Sequence, residues 1–288
     1  MPRIKNKKIK AEQFWNSEDV KVKTQYETIL VYNHDRWVRL ILNRPDVKNA
    51  LSEKMTTELL SVLENVKDDE NIRGVSIEGS GEAFCAGADL KDFRRNFVLQ
   101  TPDFDQVRTM NLEAGKLFRT LSQLPKIVVA LVHGPAFAGG LGMVACADIV
   151  AVTKEARFSL SETAIGLTPA QISPFLIKRL GLRVASKLML TGMEFDAREA
   201  VEFGLADNLV ENKDALDDFF ISFDKATKKC APMATAATKE ILSYSRDSSL
   251  EELSEFASGK FAECMLGEEA KEGLAAFAEK RKPYWYGA

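Results

Sequence analysis

The sequence predicts an α/β fold, and three observations carry that expectation. In the N-terminal part of the chain, β-rich runs alternate with stretches of helical apolar spacing. KIVVALV (126–132) is a continuous apolar run, as a strand buried on both faces requires. Two glycine-rich turns, GSGEAFCAGAD (79–89) and HGPAFAGGLGMVACAD (133–148), each follow such a strand. From about residue 170 onward the β-rich runs largely cease and helical spacing dominates.

Taken in order, TILVYN (28–33) and WVRLIL (37–42) read as two strands joined by the turn HDR, with Trp37, Arg39 and Ile41 alternating with Val38, Leu40 and Leu42. NRPDVKNALS (43–52) breaks the pattern with Pro45 and two asparagines. Ser52 then caps a helix whose apolar positions are Met55, Leu59, Val62, Leu63 and Val66. A strand follows near VSIEG (75–79), and beyond the first glycine-rich turn a helix is expected from about 105 to 124. Its stripe is Met110, Ala114, Leu117, Phe118 and Leu121, and Pro125 ends it. The second turn leads into a small-residue helix and then the strand IVAVT (149–153). Helices are predicted around 172–180, 184–191, 197–203, 214–230, 233–246 and 249–281. The chain thus divides into an N-terminal arm (1–25), an α/β core (26–195) and a helical C-terminal region (196–288).

Composition narrows the function classes. With 45% hydrophobic and 28% charged residues, the 288-residue chain has the balance of a globular protein with a sizeable core. A net charge of −3 and no basic stripe argue against nucleic acid as a partner. Cys85, Cys146, Cys230 and Cys264 lie far apart without C-x-x-C spacing, and His34 and His133 are the two histidines, which predicts no metal site and no disulfide framework. No apolar run approaches the ~18 residues of a membrane span. Five basic groups crowd MPRIKNKKIK, yet no apolar segment follows, and Glu12, Glu18 and Asp19 come too soon for a presequence. The expectation is a cytoplasmic protein with a solvated tail or a short packing arm.

Both glycine-rich turns can present unpaired backbone N–H groups at the start of a helix, where the helix dipole adds partial positive charge. Two such donors converging on one oxygen would stabilise an oxyanion. The plainer alternative is that the glycines permit tight turns or close helix packing. Neither turn is a G-x-G-x-x-G or GK[ST] phosphate loop, so nucleotide-cofactor fingerprints are absent.

GEAFCAGADLKDF (81–93), HGPAFAGGLGMVACADIV (133–150) and ARFSLSETAIGLTP (156–169) resemble the three signature stretches of the enoyl-CoA hydratase/isomerase, or crotonase, family, in order and separation. NRPDVKNALS and GLAAFAEKRKPYW (273–285) match that pattern too, so the resemblance covers roughly 26–286. It implies a spiral of ββα units with C-terminal helices that form a homotrimer or a dimer of trimers. It also implies an acyl-CoA thioester as ligand, with coenzyme A part of the substrate and no separate cofactor. Carried over residue by residue, the oxyanion-hole N–H groups fall on Ala88 and Gly140. The backbone from Ala86 through Gly87, Ala88 and Asp89 to Leu90 would contact adenine and pantetheine, and Lys280 would reach the CoA phosphates of a neighbouring subunit.

Hydratases of this family typically hold one water with two glutamates. The second aligns with Glu162; the first aligns with Gly142, which cannot do acid/base work. Phe158, Leu160, Ile165 and Leu167 around Glu162 predict an apolar setting that raises its pKa. A Δ3,Δ2-enoyl-CoA isomerase needs only one base, and a malonyl-type decarboxylase needs little beyond the oxyanion hole. A 3-hydroxyisobutyryl-CoA hydrolase shares ETAIGL, but its following aspartate is Ala170 here. GLTPAQISPFLIKRLG (166–181) resembles bacterial methylglutaconyl-CoA and isohexenylglutaconyl-CoA hydratases, which ranks hydration of a branched 2-enoyl-CoA first and isomerisation second. A noncatalytic or RNA-binding relative is the reading from another class. Glu113 is a conceivable second acid, and a glutamate restored at position 142 is expected to raise crotonyl-CoA hydration if its side chain fits. His133 reads as a turn hydrogen bond, Cys85 and Cys146 as packing residues, and the Asp89 and Asp148 side chains as caps for exposed N–H groups.

Overall fold

The structure, a computed structural model, describes residues 21–22, 26–95, 101–245 and 248–286. The expectation of a flexible arm at 1–25 falls on residues outside these, apart from Lys21–Val22. The strands are β1 (Lys21–Val22), β2 (Ile29–His34), β3 (Trp37–Leu42), β4 (Gly74–Gly79), β5 (Ile127–Val132), β6 (Ala136–Phe137), β7 (Ile149–Thr153), β8 (Arg157–Ser159), β9 (Phe195–Asp196) and β10 (Asn208–Val210). They form a seven-stranded sheet in the order β1-β2-β3-β4-β5-β7-β10 and a smaller one in the order β6-β8-β9. In the large sheet β2 runs antiparallel to both β1 and β3, and every pairing from β3 to β10 is parallel.

The side-chain alternation of β5 explains the two cores. Val128, Ala130 and Val132 join the main core beneath the helices α1 (Glu53–Lys67) and α4 (Lys116–Gln123). Val129 and Leu131 point the other way, to Trp37, Leu216 and Phe220 under α8 (Lys213–Thr227). Trp37 is fully buried, and its indole N–H donates to the Asp224 carboxylate at 2.8 Å, which satisfies the one polar atom of that ring. In α1 Ser52 caps as predicted, accepting the Met55 N–H at 3.2 Å, and the five predicted apolar positions are its buried residues.

The long helix predicted at 105–124 is two helices, α3 (Phe104–Ala114) and α4, broken at Gly115. A Cβ there would lie 2.0 Å from Gln171 Oε1, so the chain bends where another segment touches its backbone. Leu117, Phe118 and Leu121 are buried in α4, whereas Met110 is half-buried and Ala114 exposed. Gly181, at φ 73°, interrupts α6 (Ser173–Thr191) between the two predicted helices. Gly267 splits the predicted 249–281 helix into α10 (Leu250–Leu266) and α11 (Glu268–Ala278). The short α2 (Leu90–Arg94), α5 (Gly139–Cys146), α7 (Ala197–Glu202) and α9 (Pro232–Tyr244) complete the set. β9 and β10 return to the sheets from beyond the predicted end of the β-rich region, because two- and three-residue strands are too short to leave an alternation in sequence.

Asn49 ties the two halves of the first turn together. Fully buried and left-handed at φ 55°, it donates from Nδ2 to the Ser80 and Ala83 carbonyls at 2.8 Å each and accepts the Arg44 N–H at 2.8 Å. Asn49→Asp keeps the shape but turns an acceptor toward two carbonyl oxygens. It is expected to destabilise the fold by about 2–4 kcal/mol, read as a lower urea midpoint at unchanged m-value.

Candidate active site

Three short backbone segments lie side by side and run in the same direction. Cys85 bridges Ala136 in parallel, its N–H donating to the Pro135 carbonyl at 3.1 Å while its carbonyl accepts the Phe137 N–H at 2.9 Å. Ala136 in turn pairs in parallel with Phe158. Cys85, Ala136 and Phe158 therefore form one row, and each chain leaves that row toward the same end. Ala88 lies three residues past the row, Gly140 four and Glu162 four. This register brings together the three residues that the sequence singled out for chemistry, although the outermost two, Ala88 and Glu162, lie 74 positions apart in the chain.

The two N–H groups are left free by specific contacts. Leu51 bridges Ala88 in parallel, donating its N–H to the Gly87 carbonyl at 2.7 Å and accepting the Asp89 N–H at 2.9 Å. In that pattern Ala88 turns its own N–H away from Leu51, and it donates to no group among the described residues. Gly87 adopts φ 94°, and a Cβ on it would lie 2.8 Å from the Ala138 Cβ, so a side chain there would push the two turns apart. Gly140 is the second residue of α5, where a helical N–H has no partner within the helix. Its Cβ would meet the Cys85 carbonyl oxygen at 2.3 Å, which restricts the position to glycine.

Ala138, just before α5, holds φ 47° and ψ −119°, a conformation that costs a side-chain-bearing residue about 1–3 kcal/mol. Two hydrogen bonds keep it there: its N–H donates to the Ser159 carbonyl at 2.9 Å and its carbonyl accepts the Gly142 N–H at 2.9 Å. The sharp turn swings the helix start toward the end of the row where Ala88 and Glu162 lie. Sequence reasoning missed this residue, since an alanine before Gly-Gly carries no visible mark of strain.

Glu162 sits in a short 3-10 turn, Ser161–Ile165, closed by Gly166 at φ 78° and by the Leu167 N–H donating to its carbonyl at 2.9 Å. One carboxylate oxygen, Oε2, is buried and accepts no hydrogen bond among the described residues. Burial pushes the pKa of this carboxyl up from its ordinary value, because water that would solvate the charged form is excluded. The apolar setting that the sequence predicts from Phe158, Leu160, Ile165 and Leu167 is one-sided. Phe158 and Leu160 are fully buried beneath, whereas Ile165 is 66% and Leu167 41% exposed on the outer side.

These residues provide what thioester chemistry needs: two unengaged donors and one desolvated carboxylate at a common end of the ladder. The family model for enoyl-CoA hydratases/isomerases matches residues 37–288. The chain belongs to the enoyl-CoA hydratase/isomerase family. It is 38% identical to the solved structure of AtuE from Pseudomonas aeruginosa, with a TM-score of 0.86 over 90% of this chain and 100% of that one. It is 33% identical to the mevalonyl-coenzyme A hydratase of Aspergillus fumigatus over 85% of this chain and 90% of that protein. It is 30% identical to the (E)-benzylidenesuccinyl-CoA hydratase of Thauera aromatica over 91% and 99%.

In this hydratase/isomerase-family enzyme the position of the missing glutamate is filled. A Cβ on Gly142 would lie 2.3 Å from Ile172 Cγ2 and 3.0 Å from both Ile172 Cβ and Phe118 Cε1. Ile172 is itself buried, so it cannot swing aside into solvent. The expectation that a glutamate restored at 142 raises crotonyl-CoA hydration is therefore corrected: the side chain does not fit while Ile172 is present. Glu113 does not replace it, being exposed on α3 and paired with Lys116 at 2.5 Å. Sequence reasoning missed both Ile172 and Phe118 as neighbours of Gly142, because no local signal links positions so far apart.

The remaining predicted residues take varied places. Ala86 donates its N–H to the Lys48 carbonyl at 2.9 Å and is half-buried. The Asp89 carboxylate accepts the Lys91 N–H at 2.9 Å and pairs with Arg44 at 2.7 Å, which holds its pKa low despite partial burial. Leu90 begins α2, and its side chain lies outside the described residues. Lys280 is exposed after α11 with φ 54°, and its N–H donates to the Phe277 carbonyl rather than to any part of the ladder. His133 bonds the Gly81 carbonyl through Nε2 at 2.9 Å. Cys85 is a packing residue whose thiol burial pushes up to about 12. Cys146 is likewise buried, and Asp148 accepts the Val128 N–H at 2.8 Å and the Lys239 ammonium at 2.6 Å.

A double-mutant cycle tests the filled space. Gly142→Ala alone is expected to cost about 1–3 kcal/mol by overpacking, and Ile172→Gly is expected to remove most of that penalty, measured by chemical denaturation. Gly142→Glu is expected to raise crotonyl-CoA hydration only in the Ile172→Gly background.

Proposed function

We propose that this chain hydrates a branched 2-enoyl-CoA thioester, with Glu162 as its acid and base and the Ala88 and Gly140 N–H groups as its oxyanion hole. The observation that carries this reading is the buried, unpaired Oε2 of Glu162 at the same end of the ladder as the two free donors. In the reaction the thioester oxygen accepts from both N–H groups. The Glu162 carboxylate takes a proton from a water molecule while the water oxygen bonds to C3. The C2–C3 π electrons move through C2 to the thioester oxygen, which becomes the enolate oxygen. Protonated Glu162 then delivers its proton to C2, the enolate collapses, and the carboxylate is regenerated. Each oxyanion donor is worth about 2.7–4 kcal/mol of barrier in comparable acyl-transfer sites. The strained Ala138 turn pre-sets the Gly140 donor, so little reorganisation is needed as charge develops.

Names of relatives support a hydration reaction, since the Aspergillus fumigatus and Thauera aromatica proteins are both called CoA-thioester hydratases. Isomerisation of a 3-enoyl-CoA is the second reading, favoured by the single carboxylate of Glu162 and the glycine at position 142. A proton shuttled by Glu162 between C4 and C2 would need no bound water. The backbone from Ala86 to Leu90 would carry the adenine and pantetheine contacts, with coenzyme A as part of the substrate. Lys280 would serve a neighbouring subunit.

The C-terminal helices support a homotrimer or a dimer of trimers. Helix α10 has no buried residue, and large apolar side chains stand open on it and its neighbour, Leu250 at 79% and Phe277 at 86% exposure among them. So broad an apolar face on a folded chain marks an interaction surface.

Glu162→Gln is expected to lower the rate constant for the best substrate by about 10²–10⁴-fold with a small change in KM. Equal activity in the variant would refute the assignment, and a panel of crotonyl-, 3-methylglutaconyl- and 3-enoyl-CoA separates hydration from isomerisation. Because the base must start ionised and its pKa is raised by burial, kcat/KM should fall as pH drops through a value above that of an ordinary glutamate. Sedimentation is expected to show an assembly of three or six chains, and Phe277→Glu is expected to shift it toward monomer.

A further inference from the structure

Strands β4 and β5 each begin directly after a cation. Arg73 precedes Gly74, the first residue of β4, and Lys126 precedes Ile127, the first residue of β5. The strands pair in parallel with Gly74 opposite Ile127, so the two cations are neighbours at the starting edge of the sheet. The glycine-rich turns of the candidate active site follow the other ends of these strands. Between this starting edge and the first turn of α9 lies a cavity of about 30 Å³. Arg73, Lys126, Lys239 and Glu70 line it, together with apolar walls that include Ile72 and Pro232. Such a volume holds about one or two water molecules, or one small ion.

Arg73 is only 5% exposed. Its Nη1 donates to the Thr227 and Cys230 carbonyls at 2.8 and 2.7 Å, and its Nη2 to the Trp285 carbonyl at 3.3 Å. Its Nε is buried and meets no acceptor among the described residues. The Lys126 ammonium donates to the Asp69 carbonyl at 2.8 Å, which leaves it two further N–H groups. All four of these acceptors are neutral, and among the described residues neither cation has a carboxylate within ion-pair distance. Lys239, by contrast, is answered by Asp148 at 2.6 Å.

The carboxylates nearby have other duties. Asp224 accepts from Trp37 and pairs with Lys228, and Glu269 accepts the Met233 and Ala234 N–H groups. Burial holds the pKa of Lys126 below its ordinary value against the pull of Asp69, Glu70 and Asp68, and that of Arg73 likewise against Asp224 and Glu269. A buried cation met by carbonyl dipoles alone lacks a counter-charge. Water in the cavity would satisfy the Nε donor and return no charge. An anion does both, and with Glu70 on the rim a single further negative charge balances Arg73 and Lys126.

We propose that this cavity binds a small monovalent anion of the chloride class, held by Arg73 Nε and the Lys126 ammonium. The anion fastens the end of α8, the start of α9 and the Trp285 segment to the sheet, because Arg73 clasps carbonyls from these parts of the chain. The site lies at the opposite ends of β4 and β5 from the oxyanion turns and does not depend on the reaction that the enzyme performs.

Bromide, a heavier halide, is the probe. Crystals of the full-length protein grown without halide and soaked in sodium bromide are expected to show an anomalous peak within hydrogen-bond reach of Arg73 Nε. In solution, sodium chloride is expected to raise Tm by about 2–4 °C over sodium gluconate at equal ionic strength, and the rise should saturate. Lys126→Met is expected to lose both the peak and the chloride-specific rise. If that variant does not fold by circular dichroism, Lys126→Gln, which keeps a donor for the Asp69 carbonyl without the charge, takes its place. No peak in wild type, or a peak and rise unchanged in the variant, would overturn the proposal. A peak without any rise in Tm marks an adventitious ion only and overturns it equally.

Discussion

The structure of the site depends on one backbone row, Cys85–Ala136–Phe158, and on the two hydrogen bonds that extend it: Phe137 N–H to the Cys85 carbonyl and Ala138 N–H to the Ser159 carbonyl. Side chains do not make this row, so it is indifferent to most substitutions. What it does require is small residues where the segments close on one another. Gly140 is confined by the Cys85 carbonyl and Gly87 by Ala138, and Asn49 ties the preceding turn to the same place. The enzyme thereby presents two amide donors on main-chain atoms, which only a substitution to proline would delete directly, and leaves the choice of reaction to side chains around them.

Those side chains show a trade. Where hydratases of this family carry a first glutamate, a glycine stands with Ile172 and Phe118 packed onto it. The carboxylate is not merely absent; its volume is occupied. Apolar side chains stand where the resemblance places a second water-holding group, and the hydration proposed above then assigns both proton transfers to Glu162. Desolvation of Glu162 serves the same end. A carboxyl whose pKa is raised by burial is a stronger base when ionised.

Much of the fold was legible because it rests on local patterns. The α1 helix was readable down to its cap and its five buried positions, and KIVVALV was readable as a strand with both faces covered. The breaks at Gly115 and Gly267 were not, since a glycine inside helical spacing is tolerated or not according to what touches it. Strands β6, β8 and β9 were missed because two or three residues hold no periodicity, and these strands assemble the site.

The sequence by itself determined the family, the two turns that furnish N–H groups, and the survival of one glutamate where two are usual, because short motifs of glycine, alanine and acid are preserved as strings. Only the tertiary structure decided that Ala88, Gly140 and Glu162 leave a common row in one direction, that Ala138 bears the strain of the turn, and that Ile172 excludes a glutamate at 142. Each of these is a relation between atoms far apart in the chain, set by register and close packing, and a linear string carries no record of which surfaces meet.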